Sequence, residues 1–460
     1  MALQKNQKIR LKIEDITNLG FGVGRHLGEV VFVADAVPGD EVECTVIKPY
    51  KSYSIARVTE YISLSPDRVD GRCPYTACRA CSYKHLSYEK ELGLKRATVE
   101  AAFRKAGLCD VKIADTVPSP SLSCYRNKAQ YPIAKNAKGE YVVGFFAPKT
   151  HRVADAISCP LAPTVFSEIL EELISYFKKH DLSVYDEESG TGLLRHIYLR
   201  HGEVSGEILL TLVINGKSLP DEVELCKKLC EKFPKIVGIL INENTKNTNV
   251  ILGEKYRTLF GRDYIIDTLS GVKLKITAQS FYQVNHGAAE LLYGKAKELC
   301  ELSGNEMLLD LYCGAGSIGL SMLDSARELC GIEIVESAVE CASFNAELNG
   351  FVNAHFYTGD ASSAEKILEN AEKIRGEKIK PDIIILDPPR AGSTKELLNF
   401  VASLSPKKIV YISCNPETLA RDCVTLVECG YNPGKVTPVD LFPMTGHVES
   451  VVCLTRTFDN

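Results

Sequence analysis

Between residues 5 and 62, apolar and polar positions alternate in short runs, Ile9 to Ile13, Val30 to Val33, Glu41 to Ile47 and Ser54 to Tyr61, the period of a half-buried strand. Turn signals at Asn18-Leu-Gly20, Gly22-Val-Gly24 and Pro38-Gly-Asp40 separate them. Four or five short strands with glycine-rich turns predict a small barrel of the oligonucleotide-binding type. The barrel segment carries equal numbers of basic and acidic residues, so composition leaves a ligand-free adaptor as open as an RNA-binding module.

Beyond residue 63 the pattern changes twice. A cysteine-bearing loop leads into a charged amphipathic helix ending near Ala106, and residues 125 to 270 then read as strand-rich: Tyr141 to Phe145, Leu193 to Leu199, Glu207 to Ile214, Val237 to Ile241 and Val250 to Leu252. From Leu274 onward strands alternate with helices, the signature of a parallel, doubly wound sheet. The expected organisation is a barrel over 1–62, a central domain over 63–270 and an α/β domain over 271–460, with part of 93–124 packing against the last.

Composition narrows the setting. A chain of 460 residues, 45% hydrophobic, suits two or three globular domains. No apolar run reaches the roughly 18 residues of a membrane span, and the opening Met-Ala-Leu-Gln-Lys-Asn-Gln-Lys has no signal-peptide core, so a cytoplasmic protein is expected. In that reducing compartment the 17 cysteines imply metal or catalytic use for a few and burial for the rest, not disulfides. The net charge of −5 argues against a globally basic nucleic-acid binder, but Arg72 to Gln130 holds 11 Lys and Arg against 5 Asp and Glu. That segment is suited to phosphate contacts.

Two groups of residues carry chemistry. Cys73, Cys78 and Cys81 lie on one loop, and Cys159, in Ile157-Ser-Cys-Pro160, is the best candidate for a fourth thiolate. Zinc and a [4Fe–4S] cluster both fit four such ligands. Close by, Tyr125-Arg-Asn-Lys-Ala-Gln-Tyr131 interleaves aromatic and basic side chains in the manner of a surface for unpaired bases.

The second group lies in the α/β part, where ligands gather at the carboxyl ends of strands. Met307 to Tyr312 is a strand, Cys313-Gly-Ala-Gly316 a tight turn and Ser317 to Leu323 the start of a helix; Glu333 ends the next strand, suited to accept ribose hydroxyls. Gly314 to Gly319 satisfies G-x-G-x-x-G, which keeps a nicotinamide dehydrogenase in view. Asp360 follows a third strand, and Asp387 leads a fourth into Pro388-Pro-Arg390. Cys414 sits just past the strand Ile409 to Ile412, before a helix whose N-terminus favours thiolate. Glu449 enters the last strand among Val448, Val451 and Val452, a setting for a base of raised pKa.

Taken in order, Ser280-Phe-Tyr-Gln-Val-Asn285, Asp310-Leu-Tyr-Cys-Gly-Ala-Gly316, Asp387-Pro-Pro-Arg390, Ser413-Cys-Asn-Pro416 and Phe442-Pro-Met-Thr-Gly-His-Val-Glu449 closely resemble the bacterial 23S rRNA (uracil-5-)-methyltransferases of the RNA 5-methyluridine methyltransferase family. The resemblance covers essentially the whole chain. It implies an N-terminal TRAM barrel, a central β-rich iron–sulfur domain and a Rossmann-like domain that uses S-adenosylmethionine. It also implies Cys414 as nucleophile, Glu449 as base, Gln283, Tyr312, Ser317, Glu333, Asp360 and Asp387 as cofactor contacts, and Cys73, Cys78, Cys81 and Cys159 as ligands of a [4Fe–4S] cluster. The implied partner is 23S rRNA or an assembly intermediate containing it. Family members acting on tRNA typically lack the barrel and cysteine regions, which tilts the expectation toward rRNA; a non-catalytic RNA-binding assembly factor is the alternative of another class.

Overall fold

The computed structural model describes residues 3–148 and 150–457. Strands β1 (Lys8–Ile16), β2 (Phe21–His26), β3 (Glu29–Ala34), β4 (Glu41–Pro49) and β5 (Tyr53–Ser63) close into a barrel in the order β1-β2-β3-β5-β4. Alternation decides its interior: Ile9, Leu11, Ile13, Val31, Val33, Val42 and Val46 point inward and pack together. Gly22 and Gly24, expected in a turn, lie inside β2. The barrel wall needs them small, because a Cβ on Gly24 would stand 2.1 Å from Leu11 Cδ1 and 2.7 Å from the Lys12 carbonyl oxygen.

After the cysteine loop comes helix α1 (Tyr88–Lys105), capped by Ser87, whose Oγ accepts from the Lys90 amide. The central sheet has seven strands: β6 (Lys128–Lys135), β7 (Tyr141–Phe146), β8 (Val153–Asp155), β9 (Leu194–His201), β10 (Ile208–Ile214), β11 (Ile236–Glu243) and β12 (Lys255–Gly261), in the order β12-β11-β10-β9-β6-β7-β8. Helices α2 (Thr164–Lys179) and α3 (Glu222–Lys232) cover one face, burying Phe166, Leu170, Phe177 and Leu229 against Tyr131, Ile197 and Leu212. The strand-rich reading missed both helices. It also set a strand at Val250 to Leu252, whereas the carbonyls of Val250 and Ile251 are taken by the Asn244 amide and the strand forms later, at β12.

A hairpin, β13 (Tyr264–Leu269) and β14 (Val272–Thr277), leads into α4 (His286–Cys300) and the doubly wound part. Its elements are β15 (Met307–Leu311), α5 (Ser317–Leu320), β16 (Glu328–Glu333), α6 (Glu336–Leu348), β17 (Ala354–Thr358), α7 (Ala364–Arg375), β18 (Ile383–Leu386), α8 (Lys395–Ser403), β19 (Lys408–Ser413), α9 (Pro416–Glu428), β20 (Tyr431–Pro433), β21 (Thr437–Val439) and β22 (Glu449–Arg456). The sheet order is β17-β16-β15-β18-β19-β22-β20, with β21 paired to β22. Strands β15 to β19 run parallel, and the order reverses between β15 and β18, where ligands bind in such sheets. Helix α1 belongs to this part: Val99, Ala102 and Phe103 share a core with Leu309, Ile384 and Tyr411, and Ile113 and Val117 bridge to Val436 and Val439. Among the described residues no helix is long and apolar enough to cross a membrane.

Candidate active site

The ends of the five parallel strands open into one cleft of about 740 Å³, lined by both apolar and polar side chains. Tyr312 and Gly314 come from the end of β15, Glu333 from β16, Asp360 from beyond β17, Asp387 from β18 and Cys414 from β19. Gln283 enters from the segment before α4, and Glu449 from the start of β22. Ser317 does not line the cleft; its hydroxyl hydrogen-bonds the Tyr293 hydroxyl at 3.1 Å behind the glycine turn.

Local structure explains each placement. Gly314 and Gly316 have φ of +55° and +80°, so the chain can turn sharply after β15 and expose backbone amides. One Glu333 oxygen accepts from the Gly314 amide at 3.1 Å and the other from Val335 at 2.9 Å, which ties the turn to the end of β16. Asp310, fully buried beneath the turn, accepts from the Gly319 amide at 3.1 Å. The segment bearing Gln283 is gripped by the central sheet: Asn127 donates through its side chain to the Gln283 carbonyl and through its backbone to the Val284 carbonyl. The sequence reading missed Lys128, Phe281, Arg390 and His447 in this cleft. Phe281 is 71% exposed, an unfavourable setting for an aromatic unless it meets a ligand, and Arg390 could have been found from the Asp-Pro-Pro-Arg run itself.

The last strand is antiparallel to its neighbour. Ser413 pairs with Ser450, so the next residues toward the cleft are Cys414 on β19 and Glu449 on β22. Glu449 is 5% exposed, and burial, aided by Asp387, pushes its carboxyl up to about 8 while Arg390 opposes. Enclosure alone holds Asp387 at about 7. The thiolate bias expected for Cys414 is corrected: burial and the charges of Glu449 and Asp387 raise its thiol, against a smaller opposing pull from Arg390. A group just before a helix N-cap gains from the helix, but here burial comes first among the effects that raise the thiol.

A family model described as tRNA (Uracil-5-)-methyltransferase matches residues 87–457, and one for the TRAM domain matches residues 2–59. The chain belongs to the tRNA (uracil-5-)-methyltransferase family. An uncharacterized RNA methyltransferase of Bacillus cereus is 39% identical over 456 residues, covering 99% of this chain and 98% of its own. One from Listeria innocua is 38% identical over 454 residues, covering 98% of each. Among solved structures, the Pyrococcus abyssi tRNA (uracil-54, C5)-methyltransferase in complex with S-adenosyl-L-homocysteine superposes with a TM-score of 0.77 at 27% identity, covering 97% of this chain and 100% of its own. The chain is therefore an RNA methyltransferase that uses S-adenosylmethionine. Because that tRNA enzyme matches along almost the whole chain, the N-terminal half does not by itself separate rRNA members from tRNA members, contrary to the expectation above.

In this methyltransferase the four candidate ligand cysteines, Cys73, Cys78, Cys81 and Cys159, lie near one another. Burial, together with Cys159, Cys73 and Cys78, pushes the Cys81 thiol up to about 12, and Cys159 is raised by burial and by Cys73 and Cys78. Arg126 and Lys84 supply compensating positive charge beside Cys78. Among the described residues no three His, Cys, Asp or Glu side chains are grouped tightly enough for a single metal ion.

The base-stacking surface expected at Tyr125 to Tyr131 is overturned. Tyr131 is fully buried in the central core, and Tyr125 is buried under the 442–444 turn with its hydroxyl on the Pro443 carbonyl at 3.1 Å. Strand alternation sends Ala129, Tyr131 and Ile133 inward, leaving Lys128 to face the cleft.

Proposed function

We propose that this enzyme methylates carbon 5 of a uridine in 23S rRNA through a covalent bond between Cys414 and carbon 6 of the base. The observation that carries the reading is the register that brings Cys414 and Glu449 to one edge of a cleft lined by the strand-end acids. Carbon 5 of uracil is too weak a nucleophile to attack a methyl group unaided. The Cys414 thiolate adds to carbon 6, and the C5=C6 electron pair moves to form an enolate, which makes carbon 5 nucleophilic. Gln283, Tyr312, Glu333, Asp360 and Asp387 would hold S-adenosylmethionine, whose sulfonium methyl would pass to carbon 5 as the sulfur–methyl bond breaks and S-adenosylhomocysteine leaves. Glu449 then takes the proton from carbon 5, the C–H pair restores C5=C6, the C6–S bond breaks and Cys414 leaves as thiolate. Glu449 returns its proton to solvent. The target base must leave its stack to enter the cleft, where Arg390 and Lys128 offer positive charge to the RNA.

Cys73, Cys78, Cys81 and Cys159 would hold a [4Fe–4S] cluster in a structural role, tying the segment after the barrel to the central domain. The rRNA assignment rests on the motif resemblance. A tRNA substrate is the second reading, favoured by the whole-length likeness to the archaeal tRNA enzyme. Mass mapping of 5-methyluridine in rRNA and tRNA from cells with and without the gene separates them: loss from 23S rRNA alone supports the first, and loss from tRNA alone overturns it.

A further inference from the structure

The loop that delivers Glu449 is held by a buried ionic trio outside the cleft. Lys95, Glu91 and Asp440 have no exposed side-chain surface. All three Lys95 ammonium donors are used: on Glu91 Oε1 at 2.7 Å, Asp440 Oδ1 at 2.6 Å and the Phe442 carbonyl at 3.2 Å. The carboxylates in turn hold the loop backbone. Asp440 Oδ1 accepts from the Phe442 amide at 3.0 Å and Glu91 Oε1 from the Met444 amide at 2.8 Å, while the Tyr88 hydroxyl donates to Asp440 Oδ2 at 2.9 Å. Met444 needs this support, because its φ is +67° in a residue without glycine's freedom.

The location is what links the trio to chemistry. Val439 pairs with Glu449, so Asp440 and Glu449 are the two ends through which this loop leaves and re-enters the sheet, and the loop also carries Phe442 and His447 into the cleft. A buried ion pair stabilises little compared with an apolar replacement but strongly restricts geometry, since each partner must be matched or left uncompensated. Such an arrangement suits a task that demands position more than stability.

We propose that Lys95 and Asp440 are positioning residues that set the Glu449 carboxylate against carbon 5 of the bound base, so that loosening them slows proton removal and thiol release while leaving binding intact. This rests on the reading of Glu449 as the base. A carboxylate displaced by an ångström still faces the cleft but no longer meets the C–H bond in line. Addition and methyl transfer, which use Cys414, then outrun release, and the covalent intermediate accumulates.

The test compares the full-length enzyme with Asp440→Asn, Tyr88→Phe and Glu449→Gln, using S-adenosylmethionine and a mixture of unmodified 23S rRNA and tRNA transcripts. The expected result for Asp440→Asn and Tyr88→Phe is kcat reduced roughly tenfold to a hundredfold, less than the 10²–10⁴ expected for losing a general base, with KM for RNA and cofactor affinity unchanged. A denaturant-stable protein–RNA adduct should build up in both, as in Glu449→Gln. Tyr88→Phe removes a single hydroxyl and carries the test if Asp440→Asn fails to fold. A rise in KM, or slower turnover without adduct, overturns the positioning role and leaves Glu449 as base. Normal turnover of Glu449→Gln overturns both.

Discussion

Cys414 and Glu449 stand one step past the Ser413–Ser450 pair, at the point where β19 ends and β22 begins. Only an antiparallel neighbour can do this. In a wholly parallel sheet the start of the adjacent strand lies at the opposite edge, and nucleophile and base would be a strand length apart. The single reversed strand thus brings the proposed nucleophile and the proposed base to the edge where the parallel strands end.

Cys414→Ala should abolish methyl transfer while S-adenosylmethionine still binds, because the substitution removes a half-buried thiol at the sheet edge and little core. With 5-fluorouridine in the target RNA, the parent enzyme should stall as a covalent adduct, since fluorine cannot leave as a proton does. Denaturing electrophoresis reads this directly. An adduct formed by the Ala variant, or normal turnover in it, rules out the proposed nucleophile.

The strand-end residues were legible from sequence because a short apolar run closed by glycine, proline or a lone acid marks both the strand and its carboxyl edge. Asp387 before two prolines and Glu333 after Gly331-Ile332 are such cases. Which face of a strand meets the core was not legible at Tyr125 to Tyr131, since alternation gives two faces without saying which one the helices α2 and α3 will cover. Nor was the charge state of Cys414. It depends on Glu449 and Asp387, distant in sequence and adjacent only through sheet order. The trio of Glu91, Lys95 and Asp440 was invisible for the same reason, its members lying on a helix and a loop some 345 residues apart.

Cofactor affinity should depend on pH in a way that reports the cleft acids. Burial holds Glu449 at about 8 and Asp387 at about 7, against roughly 4 for an exposed carboxyl. Protonation of these acids therefore favours the folded state, a contribution fully present below about pH 4 and lost as pH rises through 7 to 8, where negative charge accumulates in the cleft. A sulfonium cation offsets that charge. S-adenosylmethionine should bind more tightly as pH rises from about 6 to about 9, and S-adenosylhomocysteine, which lacks the positive sulfur, should change less. Parallel calorimetric titrations check it; equal slopes for the two ligands would show that the acids do not face the sulfur.

Two glycines should respond to alanine in opposite directions. Gly24→Ala drives a methyl into Leu11 and the Lys12 carbonyl, and an overpacked site of this kind costs about 1–3 kcal/mol. Gly93 lies exposed in helix α1 with nothing within 4 Å of its would-be Cβ, so Gly93→Ala should add up to about 1 kcal/mol through helix propensity. Hydrogen exchange on the full-length chain should show the first loss confined to the barrel strands and the second gain centred on α1. Loss of protection in both variants would contradict the assignment of Gly93 as unconstrained.

Loss of the cysteine centre should spare the cofactor site and disable the RNA-dependent steps. Tyr83, two residues past Cys81, donates its amide to the Met444 carbonyl at 2.8 Å, and Met444 packs on Tyr125 and Leu161 with Cys81 and Cys159 beside them. The Gly446 amide reaches Ser82 Oγ at 3.3 Å. The cysteine segment therefore braces the loop that carries Glu449, whereas Glu333 and Asp360 stand at the ends of β16 and β17, the strands farthest from β22 on that side of the sheet order. Protein purified without oxygen should be brown, with about four irons and four sulfides per chain by the stoichiometry of a four-thiolate cluster. In Cys159→Ser that colour should fade, RNA binding and turnover should fall together, and affinity for S-adenosylmethionine should stay near the parent value. Equal loss of cofactor binding would mean that the centre supports the whole catalytic domain and not one wall of its cleft. Colourless protein with stoichiometric zinc would replace the cluster by a metal ion.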